Sequence, residues 1–323
     1  MFFDSSKNRV AFRKRASRRP VVRFGPVVVA AVAAFAVGSA EAKPPRVVAT
    51  TTIVADLVRQ VGGERVVVDC LMAPGIDPHS YKATPRDAER LARADLVVAS
   101  GLHLEGKLAE LLTRLSRRVP VLAVADSLPP EKLLEAGAGL HDPHVWFDAA
   151  LWSGCVPAVV EKLSTLDPAG AEAFREAGEA YVARLIALDE ETRATLGEIP
   201  AERRVLVTAH DAFRYFGRAY DVEVVGVQGT STESEAGLGD VNRLVDLVVT
   251  RNIPAVFVET SVSDRNVAAL REGAAARGHA VAIGGRLHSD SIGGVDGPAA
   301  TLEGAIRENV ATIVAGLAGS EAP

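Results

Sequence analysis

The sequence predicts an α/β protein of two βα lobes, each a four-stranded parallel sheet flanked by helices, joined by one long rigid helix. Three observations predict it. Short apolar runs alternate with amphipathic stretches through the first half of the chain, the same alternation returns in the second half, and a long segment without a strand signal separates the two. Apolar runs of this length, set between helical stretches, are the pattern of parallel strands buried on both faces.

In the first half the strand-like runs are residues 47–51, 66–71, 96–100 and 119–124, with helical stretches at 53–61, 85–93 and 105–117. Gly62-Gly63 closes the first helix, since glycine takes the left-handed conformation that ends helices. In the second half the strands are 205–208, 222–227, 255–258 and 280–283, and the helices 212–219, 241–251, 265–277 and 302–317. Residues 148–200 hold no strand run. Asp167-Pro168 reads as a helix start, with Asp as N-cap and Pro in the first turn. The Ala-, Glu-, Arg- and Leu-rich stretch that follows to Leu196 has no further Pro, so it reads as a stiff rod and not a Gly/Ser linker. A helix without a central kink device bends little, which implies small lobe movements. The Gly-rich stretch 284–297 is then the segment expected to move on ligand release.

Residues 1–42 stand apart. Eight Lys and Arg precede an apolar run over 27–37, and Ala40-Glu41-Ala42 follows as a small-x-small pattern. That order is the order of an export signal. The run is shorter than the roughly 20 residues a membrane-spanning helix needs, so cleavage near Ala42 is expected and not a retained anchor. Ser17-Arg18-Arg19-Pro20 resembles a twin-arginine motif, which leaves the export route open. No Cys follows the apolar run, which argues against a lipoprotein anchor. The expected division is a leader over 1–42, an N-terminal lobe over 43–166, a linker helix over 167–200 and a C-terminal lobe over 201–323.

Setting the leader aside removes eight basic and two acidic side chains and takes the formal charge from −5 to −11. So acidic a surface argues against nucleic acid and anionic lipid as partners and suits attraction of cations. Cys70 and Cys155 stand in apolar runs at no motif spacing and read as two buried thiols, although export would permit a disulfide.

All seven histidines lie beyond the leader, and two share one setting: Asp77-Pro78-His79 and Asp142-Pro143-His144. Pro fixes the backbone ahead of the imidazole, and the Asp can accept backbone N–H bonds that tie the turn. His210 closes the first strand run of the second half, and Asp290 follows the last. Ligands of open α/β sheets bind beyond the carboxyl ends of the strands, and all four residues fall there, two from each half. Three imidazoles and a carboxylate form a four-donor set for Zn²⁺ or Mn²⁺. Glu259, Asp264 and Asp296 compete with Asp290 for the fourth place, and His141 and His288 lie near enough in sequence to support the ligands. Acid should release the ion, because imidazoles must be deprotonated to bind.

These motifs resemble those of the TroA-like zinc/manganese-binding receptors of bacterial ABC importers, bacterial solute-binding protein family 9. The matching runs are Asp77-Pro78-His79-Ser80-Tyr81, Ala94-Asp95-Leu96-Val97, Gly101-Leu102-His103-Leu104-Glu105 and Asp142-Pro143-His144-Val145-Trp146. In the second half they are Thr208-Ala209-His210-Asp211-Ala212-Phe213, Gln228-Gly229-Thr230-Ser231-Thr232, Val258-Glu259-Thr260-Ser261 and Ser289-Asp290-Ser291. They appear in the family's order from about residue 47 to 317. The resemblance implies two βα lobes joined by a single helix, metal coordination by His79, His144, His210 and Asp290, and a periplasmic, monomeric receptor. Its partners would be a divalent ion carried as cargo and the membrane permease of an ABC importer. His210 stands where many manganese-specific members place Glu, and residues 128–140 lack the His-rich loop of many zinc-specific members, so the chain lies between the two specificities. His288 departs from the Phe or Tyr common before the Ser-Asp pair. A zinc-dependent hydrolase with an open metal position and Glu259 as base is the competing reading, but neither a His-Glu-x-x-His motif nor a Ser nucleophile elbow is present. A metal-binding surface adhesin is the third reading.

Overall fold

The structure, a computed structural model, describes residues 43–318 together with Ala11 and Ala16. The expected leader over 1–42 lies outside the described residues. The first half runs β1 (Arg46–Ala49), α1 (Thr52–Gly62), β2 (Val67–Cys70), α2 (Pro85–Ala92), β3 (Leu96–Ala99), α3 (Ala109–Leu115) and β4 (Val121–Ala123). The strands pair in the order β2-β1-β3-β4, all parallel. The two central strands carry the apolar runs: Val47, Val48 and Ala49 of β1 and all of β3 are buried. The Thr51 hydroxyl accepts the Val54 amide and starts α1, and Gly63, at φ 51°, ends it. Thr84 and Asp87 form a reciprocal capping box at the start of α2, with Pro85 in its first turn.

Beyond β4 the first half continues with an antiparallel hairpin of β5 (Glu135–Gly137) and β6 (Leu140–His141), then α4 (Ala149–Trp152) and α5 (Val156–Leu166), and α6 (Ala171–Gly197) connects it to the second. The hairpin was not expected from sequence, since its strands carry no apolar run. The rod α6 is 27 residues long and enters through a single 3₁₀ turn, Pro168–Gly170. Asp167 does not cap it. Its carboxylate accepts from the Arg65 guanidinium at 2.8 Å, a charge-assisted bond stronger than a bond to a backbone amide. One side of α6 packs on α1, α4 and α5 of the first half.

The second half runs β7 (Val205–His210), α7 (Arg214–Tyr220), β8 (Glu223–Gln228), α8 (Leu238–Thr250), β9 (Ala255–Glu259), α9 (Arg265–Ala276), β10 (Ala282–Leu287) and α10 (Leu302–Ala318). Both α7 and α10 also touch α6. Strand neighbours fall in the order β8-β7-β9-β10, repeating the first half, but as two parallel ladders, β7 with β8 and β9 with β10. The continuous four-stranded sheet expected here is therefore interrupted between β7 and β9. At the carboxyl end of β7 the His210 amide donates to the Glu259 carboxylate of β9 at 2.8 Å, where a ladder would use a main-chain carbonyl. Strand β10 takes in Gly284 and Gly285, which the sequence places beyond the end of the last strand, in the Gly-rich stretch 284–297. Its register shifts between Ile283 and Gly285, and Gly285 sits at φ 148°, which only glycine enters freely.

One hydrophobic cluster joins the two halves. At its centre Phe147 stacks on Phe213 across the halves, ring centroids 4.2 Å apart, between Trp146 on one side and Phe216 on the other. Cys70 and Cys155 are free thiols. Burial pushes Cys70 up to about 11 and Cys155 further, so neither is a thiolate at neutral pH. Among the described residues no helix is long and apolar enough to cross a membrane.

Candidate metal centre

Each of the four expected residues leaves the carboxyl end of a strand or the loop beyond it. His79 lies on the loop after β2, His144 after the hairpin, His210 ends β7, and Asp290 follows β10. Their donor atoms lie within 4.8 Å of one another, and all four side chains are buried. His79 Nε2 stands 3.3 Å from His144 Nε2. Asp290 Oδ1 is 3.4 Å from His144 Nε2, and Oδ2 is 3.4 Å from His210 Nε2 and 3.9 Å from His79 Nε2. Donors held about 2.1 Å from a tetrahedral ion stand about 3.4 Å apart, so the spacing is that of a coordination shell. His210 Nε2 and Asp290 Oδ1 have no hydrogen-bond partner although both are buried. Buried polar atoms are rarely left so, and a cation at the centre of the cluster would satisfy both.

The two Asp-Pro-His turns use their aspartates differently. In both, the Asp Oδ1 accepts the backbone amide of the His, at 2.9 Å for His79 and 3.0 Å for His144. Asp142 Oδ1 also takes His144 Nδ1 at 2.7 Å, which turns Nε2 toward the centre. Asp77 does not reach an imidazole. Its second oxygen accepts Ser80 Oγ and Thr232 Oγ1, each at 2.7 Å. His210 is held as His144 is, with Nδ1 2.5 Å from Glu259 Oε2. Sequence reasoning offered Glu259 as a rival ligand or base. Both its oxygens instead serve His210, and the available signal was a lone carboxylate closing the apolar strand β9. Trp146 Nε1 donates to Ser289 O at 3.1 Å, and the Tyr215 hydroxyl donates to Asp142 O at 2.9 Å; neither was foreseen.

The other acidic candidates and the remaining histidines lie elsewhere. Asp264 pairs with Arg286 at the surface, and Asp296 is exposed. His279 meets Ile253 O, and His103 is exposed. His141 and His288 do not support the ligands: His141 ends the hairpin, and His288 faces Glu308 and is fixed through its main chain by Asn309.

The ligands perturb one another strongly. Burial lowers the His79 imidazole to about 4, with Asp290 opposing. Burial acts the same way on His144, but Asp142 and Asp290 outweigh it and raise the group to about 9. His210 is raised well above its ordinary value, Glu259 and Asp290 overcoming its burial. Burial alone would push Asp290 up, yet His210 and His144 hold its carboxyl well below the usual range.

Two parallel α/β halves whose strand ends meet on three imidazoles and a carboxylate are the layout of a metal-ion receptor. Comparison with known proteins carries this further. The family described as zinc-uptake complex component A, periplasmic (ZnuA), matches residues 47–316. The manganese-binding lipoprotein MntA of Bacillus subtilis (strain 168) is 46% identical over 273 residues, 84% of this chain and 89% of that protein. The zinc-binding protein TroA of Treponema pallidum (strain Nichols) is 45% identical over 274 residues, 85% of this chain and 89% of that protein. The solved structure of the periplasmic zinc-binding protein TroA superposes with a TM-score of 0.83, covering 84% of this chain and 99% of that one. The metal ABC transporter substrate-binding lipoprotein ScbA of Streptococcus cristatus is 32% identical over 228 residues, 68% of this chain and 73% of that protein. The chain belongs to the ZnuA family of metal-binding substrate receptors of ABC transporters.

Proposed function

We propose that the chain is exported with cleavage near Ala42, captures one zinc or manganese ion with His79, His144, His210 and Asp290, and hands it as a monomer to the membrane permease of an ABC importer. Residues 43–166 and 201–323 act as its two lobes and 167–200 as the connecting helix. The observation that carries this reading is the convergence of four buried donors, two from each half, on a point where two of them lack a partner.

The ion is cargo and not a resident cofactor. Asp142 and Glu259 orient two imidazoles before it arrives, so little rearrangement accompanies capture. The donor set of three nitrogens and one carboxylate favours zinc over manganese in any direct competition, and supply in the native compartment decides which ion is carried. Hydrolysis would need a free base beside the ion, and Glu259 is committed by both oxygens to His210.

Two measurements test the proposal. Metal analysis of protein purified from its native compartment, without added metal, should give one divalent ion per chain. His79→Ala should lower affinity steeply in competition with a chelator. A variant that binds as tightly as the parent refutes the assignment.

A further inference from the structure

His79 differs from the other two imidazoles. His144 and His210 each have a carboxylate on Nδ1, whereas the Asp77 of the first turn fixes only the His79 main chain. What fixes Asp77 comes in part from the other half of the molecule. Its Oδ2 accepts the Thr232 hydroxyl at 2.7 Å, across 155 residues of sequence. Thr232 lies on the loop between β8 and α8, and the base of that loop is itself tied to the metal centre. Gln228, the last residue of β8, pairs with His210 in the ladder. Its side-chain amide donates to Ser234 O at 3.1 Å, and the Asp211 amide donates to Gly229 O at 3.3 Å. Beside Thr232, Glu233 reaches Lys107 of the first half at 3.4 Å.

We infer that Thr232 is a positioning residue for metal retention: the 229–237 loop is a clasp that runs from the strand carrying His210 to the turn carrying His79 and holds that turn over the bound ion. The inference rests on the receptor reading above. The hydroxyl contributes through a hydrogen bond to a carboxylate, the stronger kind of neutral-donor bond. The Lys107–Glu233 pair contributes little, because both side chains are partly in solvent, 39% and 43% exposed. The first-half turn has a second tie, Gly75 N to Ser291 Oγ at 2.9 Å, so losing the clasp loosens the His79 turn without detaching it.

The effect should therefore appear in the rate at which metal leaves. Zinc-loaded full-length mature protein is mixed with excess chromophoric chelator, and release is followed for the parent, Thr232→Val, Thr232→Ser and His79→Ala. Thr232→Val keeps the side-chain shape and removes the hydroxyl; it should release zinc about tenfold faster or more, the weight of one hydrogen bond to a charged group. Thr232→Ser keeps the hydroxyl and should release zinc at a rate near the parent's. Equal rates for Thr232→Val and the parent, with His79→Ala still crippled, overturn the clasp and leave the metal site standing. Equal acceleration by Val and Ser also overturns it, since the hydroxyl would then be immaterial. If His79→Ala binds as the parent does, the site reading fails and the clasp with it.

Discussion

Adding zinc to the metal-free protein at pH 7 should expel about two protons per ion. His144, raised to about 9, and His210, raised well above its ordinary value, are both protonated in the empty site at that pH. His79, lowered to about 4, is already neutral, and Asp290 is already ionised. The sign follows from competition. A group whose pKa is raised in the empty site holds a proton that the ion must displace, so binding weakens as pH falls. Two displaced protons make the apparent affinity change by about 10⁴ between pH 6 and pH 8, roughly 5.4 kcal/mol. The dependence should weaken as pH rises through about 9, where His144 loses its proton, and steepen only near pH 4, where His79 gains one. Three unperturbed imidazoles with pKa about 6.5 would together release only about 0.7 proton at pH 7. Calorimetric titration in buffers of different ionisation enthalpy separates the two cases. Release of fewer than one proton, or an affinity that changes by less than about a hundredfold between pH 6 and 8, refutes the electrostatics described for the site.

Two further outcomes are expected. Asp142→Asn and Glu259→Gln each remove the carboxylate behind one imidazole, so zinc affinity should fall about 10- to 100-fold. Each should also cut proton release at pH 7 toward one, because the charge that raises His144 or His210 is gone; loss of affinity with two protons still released would separate orientation from charge. Gly226→Ala tests the strand frame: a Cβ there would stand 2.4 Å from Asp211 N and 2.6 Å from its Cα. Main chain cannot swing aside, so β7 and β8 must part at a cost of about 1–3 kcal/mol, and thermal melting of metal-free protein should shift down; an unchanged midpoint contradicts the close approach.

The strands of the first half were legible because a centrally buried parallel strand has no polar face to confuse its pattern: Val47–Val48–Ala49 and Leu96–Val97–Val98 are buried throughout. The convergence of His79, His144, His210 and Asp290 was legible for a topological reason, since all four follow strand ends. What the sequence hid depends on partners distant in the chain. Asp167 has the identity of an N-cap, but Arg65, 102 residues away, claims its carboxylate. His288 stands two residues from Asp290 yet turns to α10, where Glu308 faces its ring and Asn309 holds its main chain. The hairpin of β5 and β6 packs no apolar run and so left no periodic trace. The different tasks of the two identical Asp-Pro-His turns could not be read from three residues that are the same.

The fastening of Asp290 sets what that ligand feels when the halves shift. Its chain belongs to the second half, where Ser261 Oγ lies 3.4 Å from both its amide and its Oδ2, but its neighbours along the chain are also held by the first. Trp146 holds Ser289 O, the Gly75 amide holds Ser291 Oγ, the Ile292 amide donates to Thr52 Oγ1 at 2.9 Å, and the Leu302 amide donates to Asp56 Oδ2 at 3.0 Å. Glycines 293, 294 and 297 lie between those last two anchors. Any relative displacement of the halves therefore pulls on Asp290 from both sides: Ser261 draws it with His210, and the anchors of residues 289, 291 and 292 draw it with His79 and His144.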